Sequence, residues 1–267
     1  MQVGLVGWTG LIGRALIKGN EFKYVKIGRY NQSDIVYNAG RGEEDKVIKE
    51  LVIKGLDRIV WLASSGSIRQ LEEKGEDYWD QNVVSPVRLN KLAESEGIGF
   101  LYLSTNAVFG NDADGRYEDS EIGPSCVYGR QKARVEERLL ASSNSCILRL
   151  SKVVSGEVNL LKTWREAIDQ GKRPGVWKDG RVAPISTNTV GRQIATLLSQ
   201  STTGIRHIGL DTDMSYGEFF RRLHPQQKMR DVAVETAFDP KHANLQTRYN
   251  GFISRLDNEL CEIQTES

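Results

Sequence analysis

Apolar positions along the first half of the chain follow two alternating rhythms. Short apolar runs at 3–6, 24–27, 35–37, 58–63, 99–104 and 146–150 read as strands. Between them, apolar residues recur every three to four positions over 11–17, 43–52, 78–95 and 129–141, the spacing of amphipathic helices. Pro86 is expected to kink the helix over 78–95. Strands alternating with helices of these lengths predict an α/β architecture, a mostly parallel sheet of about seven strands covered on both faces. Past residue 150 the rhythm loosens. Helices are expected over 160–170 and 189–198, a strand over 205–210, and a further helix opened by Ser215 with Glu218 as a capping box. The last thirty residues are polar and weakly periodic. Residues 1–150 are therefore expected to form one domain. Residues 151–267 are expected to form a smaller lobe packed on it, with segments returning to the first domain.

Composition narrows the class. The chain has 267 residues, 39% of them hydrophobic and 27% charged, a globular balance with ample length for a core. Lys and Arg number 36 against 35 Asp and Glu, so no basic excess exists to drive binding to nucleic acid or an anionic membrane. No apolar run approaches a bilayer-spanning length, and the N-terminus does not read as a signal peptide. Cys126, Cys146 and Cys261 lack CxxC spacing, which implies neither a disulfide framework nor a zinc site and fits a reducing cytoplasm.

Two constellations carry chemistry. Gly7, Gly10 and Gly13 form GxxGxxG between the first expected strand and the first helix. Glycines there let the backbone turn sharply and bring a pyrophosphate close to a helix N-terminus. A ligand-free glycine-rich turn is the plain alternative. About twenty residues on, where an acidic residue would bind the ribose hydroxyls of NAD, the chain has Arg29, which is either a partner for a 2′-phosphate or a solvated surface residue. The second constellation is Tyr128 with Lys132, a YxxxK pair on one helical face. A neighbouring ammonium is expected to favour the phenolate and bring the tyrosine nearer a useful range. The run Tyr102-Leu103-Ser104-Thr105-Asn106 ends a strand in hydroxyls, and Thr105 is placed to donate to a substrate oxygen.

Together the GxxGxxG loop, the strand running from Tyr102 through Ser104-Thr105 to Gly110, and Tyr128 with Lys132 resemble the extended short-chain dehydrogenase/reductases. Arg181-Val182-Ala183-Pro184, Ser215-Tyr216-Gly217-Glu218-Phe219 and Ser254-Arg255-Leu256-Asp257 extend the likeness towards the dTDP-4-dehydrorhamnose reductase family of nucleotide-sugar ketoreductases. The resemblance implies a Rossmann-like doubly wound parallel sheet with a small C-terminal substrate lobe. It implies NADPH-dependent reduction of a keto group on a nucleotide-activated deoxysugar, in sugar or polysaccharide biosynthesis, with NAD(H) left open as cofactor. Thr105, Tyr128 and Lys132 would be catalytic. Gly7, Thr9, Gly10, Leu11, Ile12, Gly13, Arg29, Leu62, Ala63, Ser64 and Lys132 would bind the cofactor. Ser65, Asn82, Asn106 and Arg181 would meet the substrate, although Arg181 reads equally well as a surface residue. No metal is expected, and a homodimer is left open. Asn106-Ala107 stands where related dehydratases need an Asp-Glu pair, which argues against dehydration. Two alternatives remain at this level: an epimerase with tightly held cofactor, and a non-catalytic NADP-binding regulatory subunit.

Overall fold

A computed structural model describes residues 1–111, 116–156, 158–177, 180–233, 238–249 and 251–265. Seven parallel strands form the central sheet: β1 (Gln2–Val6), β2 (Lys23–Gly28), β3 (Ile35–Val36), β4 (Arg58–Trp61), β5 (Gly99–Thr105), β6 (Ser145–Leu150) and β7 (Gly204–His207). Their spatial order is β7-β6-β5-β4-β1-β2-β3. Strand order reverses between β1 and β4, where Val6 pairs with Trp61, so a crevice opens beyond the carboxyl ends of these two strands.

The two-residue period of the strands sends side chains to two cores. Leu101, Leu103 and Leu148 join Leu16 and Val190 on one face, beneath α1 (Leu11–Gly19) and α7 (Thr187–Ser199). Phe100, Tyr102 and Ile147 join Val47, Leu89 and Val135 on the other. That face is covered by α2 (Glu44–Ile53), α4 (Ser85–Ser95) and α5 (Val127–Leu139). Both strand faces are thus apolar, as a doubly covered parallel sheet requires.

The expected elements are present, with three local differences. The helix expected over 78–95 is broken. Pro86 sits in the first turn of α4, where its missing N–H costs nothing, and a π-helical turn over Asp80–Val84 precedes it. A helix that apolar periodicity did not reveal, α3 (Ile68–Lys74), is started by a capping box in which Ser67 and Gln70 each accept from the other's backbone N–H. The expected strand over 205–210 divides: β7 returns to the main sheet, while Gly209–Leu210 pairs with Ile253–Ser254.

In the second half, α6 (Asn159–Asp169) and α8 (Tyr216–Leu223) lie where expected. At α8 the Ser215 hydroxyl accepts from the Glu218 N–H, the cap half of the box. The weakly periodic tail holds one more helix, α9 (Leu256–Thr265). It is anchored by a carboxylate rather than by an apolar stripe alone. Glu259, 1% exposed, accepts from the Ser186 N–H and the Thr189 hydroxyl at the start of α7. Among the described residues, no helix is long and apolar enough to cross a membrane.

Candidate active site

The glycine loop sits at the sheet crevice and its geometry depends on glycine. Gly7 has φ +87°, and a Cβ there would lie 2.8 Å from the Ala63 nitrogen beyond β4. A Cβ on Gly13 would lie 2.5 Å from the Trp8 carbonyl oxygen, so α1 packs against the loop only because position 13 has no side chain. Gly10 is the N-cap of α1, and no side chain caps that end. The dipole end of α1 therefore faces the crevice with backbone N–H groups as its donors.

Two cavities meet along this crevice. One, of about 660 Å³, is lined by Gly7, Trp8, Thr9 and Gly10, by Gly28, Arg29 and Tyr30 after β2, and by Leu62, Ala63, Ser64 and Ser65 after β4. Among the described residues, no carboxylate lines it. Arg29 is exposed at its edge, where its Nη2 donates to the Tyr30 hydroxyl at 3.1 Å. The second cavity, of about 500 Å³, shares Leu62, Ser64 and Gly66 with the first. Its lining includes Ile12, Ser104, Thr105, Asn106, Tyr128, Lys132 and Arg181.

Thr105, Tyr128 and Lys132 converge in this second cavity. Thr105 ends β5; its hydroxyl accepts from the Ala107 N–H at 3.1 Å, donates to Asn106 Oδ1 at 3.4 Å and lies beside the Tyr128 phenol. Tyr128 lies in the first turn of α5, whose N-cap is the Cys126 thiol accepting from the Gly129 N–H. Gly129 allows the helix to come this close: a Cβ there would lie 2.1 Å from the Ala107 carbonyl oxygen. Lys132 follows one turn later, 7% exposed, and its Nζ donates to the Leu103 carbonyl at 2.8 Å. The same Nζ lies 5.9 Å from the centre of the Tyr128 ring.

The electrostatics differ from the sequence expectation. Burial pushes the Tyr128 phenol up to about 12, and the Thr105 hydrogen bond only partly opposes this. Lys132 is itself desolvated and is pushed down to about 8, with Glu136 acting in the opposite sense. Desolvation dominates at Tyr128, which favours the neutral phenol that carries a proton.

The remaining expected residues divide by what their polar atoms already hold. Leu11 and Ile12 open α1, and Ile12 reaches the second cavity. Asn106 lines that cavity, but its amide donates to the Ala243 carbonyl at 2.9 Å and ties the end of β5 to the C-terminal segment. Asn82, in the π-helical turn, is behind the crevice. Its Oδ1 accepts from the Ser65 N–H, and its Nδ2 donates to the Ser65 carbonyl and to Gln131 Oε1. It fixes the loop rather than lining either cavity. Arg181 lines the second cavity while its Nε and Nη2 are paired with Asp213.

Several lining residues escaped the sequence reasoning: Lys152, Trp177, Tyr216 and Phe238. Lys152 could have been found, because a basic residue two positions beyond a parallel strand falls on the ligand side of the sheet. The aromatic residues carried no local signal.

The residues present fit a dinucleotide phosphate. The glycine cradle leaves no room for a Cβ at Gly7 or Gly13, α1 presents an uncapped N-terminus, and the first cavity offers Arg29 without an opposing carboxylate. On the side of the second cavity, the buried Ser104 hydroxyl has no partner among the described residues, which suits a ligand group.

Comparison with known proteins agrees with this geometry. The family model described as RmlD substrate binding domain matches residues 1–258. The probable low-salt glycan biosynthesis reductase of Haloferax volcanii is 22% identical over 237 residues, covering 84% of this chain and 79% of that protein. The dTDP-4-dehydrorhamnose reductase of Aggregatibacter actinomycetemcomitans is 29% identical over 167 residues, covering 60% of this chain and about half (54%) of that relative's length. Among solved structures, the dTDP-4-dehydrorhamnose reductase of Bacillus anthracis str. Ames in complex with NADP superposes with a TM-score of 0.87 at 20% identity, over 100% of this chain and 98% of that one.

Proposed function

The chain belongs to the RmlD substrate binding domain family, and from that premise we propose that it is an NADPH-dependent reductase of a keto group on a nucleotide-activated deoxysugar. The observation that carries this reading is the meeting of Thr105, Tyr128 and Lys132 in a cavity continuous with the glycine-loop crevice. Residues 1–150 hold the dinucleotide in this reading. Residues 151–267 supply much of the substrate wall, and β7 returns to the sheet.

The site would hold NADPH, which when bound would supply the hydride for the carbonyl carbon. The chain's own residues supply position and a proton. Gly7, Gly10 and the N-terminus of α1 hold the pyrophosphate, and Arg29 pairs with the 2′-phosphate. Leu62, Ala63 and Ser64 form the floor between the two cavities. The Thr105 hydroxyl donates to the substrate oxygen. The Tyr128 hydroxyl gives its proton to that oxygen as negative charge develops there, which its neutral resting state favours. Lys132 grips the nicotinamide ribose and stabilises the phenolate left on Tyr128. Lys152 places a cation on the wall of the second cavity, which suits the substrate's diphosphate, and Arg181 stands on that wall paired with Asp213. Asn106-Ala107 leaves no acid pair at the end of β5, so the site is built for reduction rather than dehydration.

The test is a panel of keto nucleotide sugars incubated with the protein and NADPH or NADH, with NADPH consumption and reduced sugar both measured. Turnover of at least one keto sugar with matched NADPH loss is expected. Tight NADPH binding with no turnover of any of them would replace this reading with a non-catalytic one.

A further inference from the structure

Behind Lys132 lies a buried charge cluster that the proposed reduction leaves unexplained. Glu136 follows Lys132 by one helical turn on α5 and is 1% exposed. Arg149 on β6 is 2% exposed and grips that carboxylate like a fork: its Nε lies 3.1 and 3.2 Å from the two oxygens and its Nη2 lies 2.7 Å from Oε2. Arg149 Nη1 turns the other way, to the Glu118 carbonyl at 3.3 Å and to His207 Nε2 at 3.2 Å. His207 Nδ1 faces the Gln246 carbonyl at 2.8 Å, which makes Nδ1 the donor and leaves Nε2 as a neutral acceptor for Arg149. The cluster therefore joins α5, β6, β7 and the C-terminal segment.

Buried ion pairs contribute little to stability over an apolar filling of the same volume, so stability alone is a weak reason for this one. Its position supplies a stronger reason. Lys132 is almost fully enclosed, and among the described residues its Nζ donates to one carbonyl, that of Leu103. The titratable groups facing it are Tyr128 and Glu136 on its own helix and the Tyr102 ring on β5 at 4.6 Å. Arg149 approaches from β6 behind Glu136, and Lys152 lines the same cavity. Glu136 is the anion in this set.

We propose that Glu136 and Arg149 are positioning residues: the Glu136 carboxylate holds Lys132 as an ammonium, and the Arg149 fork fixes that carboxylate at the right place. The proposal rests on the reading of Lys132 as the cation that faces cofactor and tyrosine. Its physical content is a balance between burial, which drives the ammonium towards neutrality, and one opposing carboxylate. With both oxygens held by Arg149, the carboxylate lies one helical turn from Lys132 without a direct ion pair to it among the described residues.

The experiment reads Lys132 directly in the cofactor-free protein. Lysine labelled with carbon-13 at the ε position is titrated by NMR, and the Lys132 signal is assigned by its loss in Lys132→Met. A midpoint near 8 is expected in the wild type. Glu136→Gln should lower that midpoint by about one pH unit or more. Glu136→Gln alone leaves Arg149 as a buried unpaired cation, so Glu136→Gln/Arg149→Met, which removes both charges, is titrated beside it and should show a smaller drop in the same direction. NADPH affinity, followed by fluorescence, should fall off at correspondingly lower pH in both variants. An unchanged Lys132 midpoint in the folded double variant would overturn the proposal. So would loss of folding in both variants, which would assign the pair to the fold instead. A wild-type protein that binds no NADPH at any pH would sink the cofactor reading while leaving the Lys132 titration interpretable.

Discussion

A hydroxyl in the first turn of a helix decides the chemistry assigned here. Tyr128→Phe removes one oxygen, so α5 should pack as before and NADPH affinity should hold. Turnover of a keto nucleotide sugar should fall by about 10²- to 10⁴-fold, the usual contribution of a general acid. Steady-state kinetics check it, and a variant within about threefold of wild type would remove Tyr128 from the mechanism. Arg29 supports a second expectation at this scale. Its cavity carries no carboxylate, so NADPH should be favoured over NADH. A charge-assisted pair contributes about 1.5 to 3 kcal/mol, so Arg29→Ala should cost roughly one to two decades of that preference. Titrating both cofactors against both proteins gives the answer, and equal affinities in the wild type would make Arg29 a bystander.

The glycine loop and α1 act as one element, because each glycine answers to a particular neighbour. Gly13→Ala drives a methyl group into backbone at Trp8, and backbone cannot give way as a flexible side chain does. Overpacking of this kind costs about 1 to 3 kcal/mol. The loop should shift outward from α1, so thermal stability and NADPH affinity should fall together. Calorimetry and fluorescence titration on one preparation measure both, and an unaltered affinity would show that the loop does not hold the cofactor. Gly19→Ala is the contrasting control, since a new methyl group there, at the far end of α1, would meet nothing within 4 Å.

At the scale of the whole molecule, the buried cluster around Arg149 makes stability depend on pH. Burial, aided by the Arg149 charge, pushes the His207 imidazole down to about 4 from an ordinary 6.5. The unfolded chain takes up this proton first. The contribution of a neutral His207 is therefore complete above about 6.5 and is lost as pH falls from there through about 4. The full swing is on the order of 3 kcal/mol. Chemical denaturation at stepped pH should show that decline in the wild type. His207→Gln, which can still accept from Arg149, should flatten it. An equal slope in both proteins would place the acid sensitivity elsewhere.

Local sequence was enough for the parts of this protein governed by neighbours in the chain. The two rhythms of apolar residues marked the strands and most of the helices, because period-two and period-three-to-four burial is imposed by the geometry of each element. The glycine spacing marked the crevice, and i,i+4 spacing put Tyr128 and Lys132 on one face. Other features depend on residues far apart in sequence. Helix α9 was hidden because Glu259 binds Ser186 and Thr189 some seventy positions earlier, and no periodicity records such a bond. The upward push on the Tyr128 phenol was not legible, because charge proximity can be read from spacing, whereas desolvation depends on how α5 closes over β5. Asn82 was expected at the substrate. Only folding revealed that its amide is spent on Ser65 and Gln131. The sequence by itself determined which backbone elements form and which reactive groups they carry. The tertiary structure decided which of those groups are dry, paired or facing the cavity, because solvent exclusion and long-range hydrogen bonding exist only once distant segments have packed together.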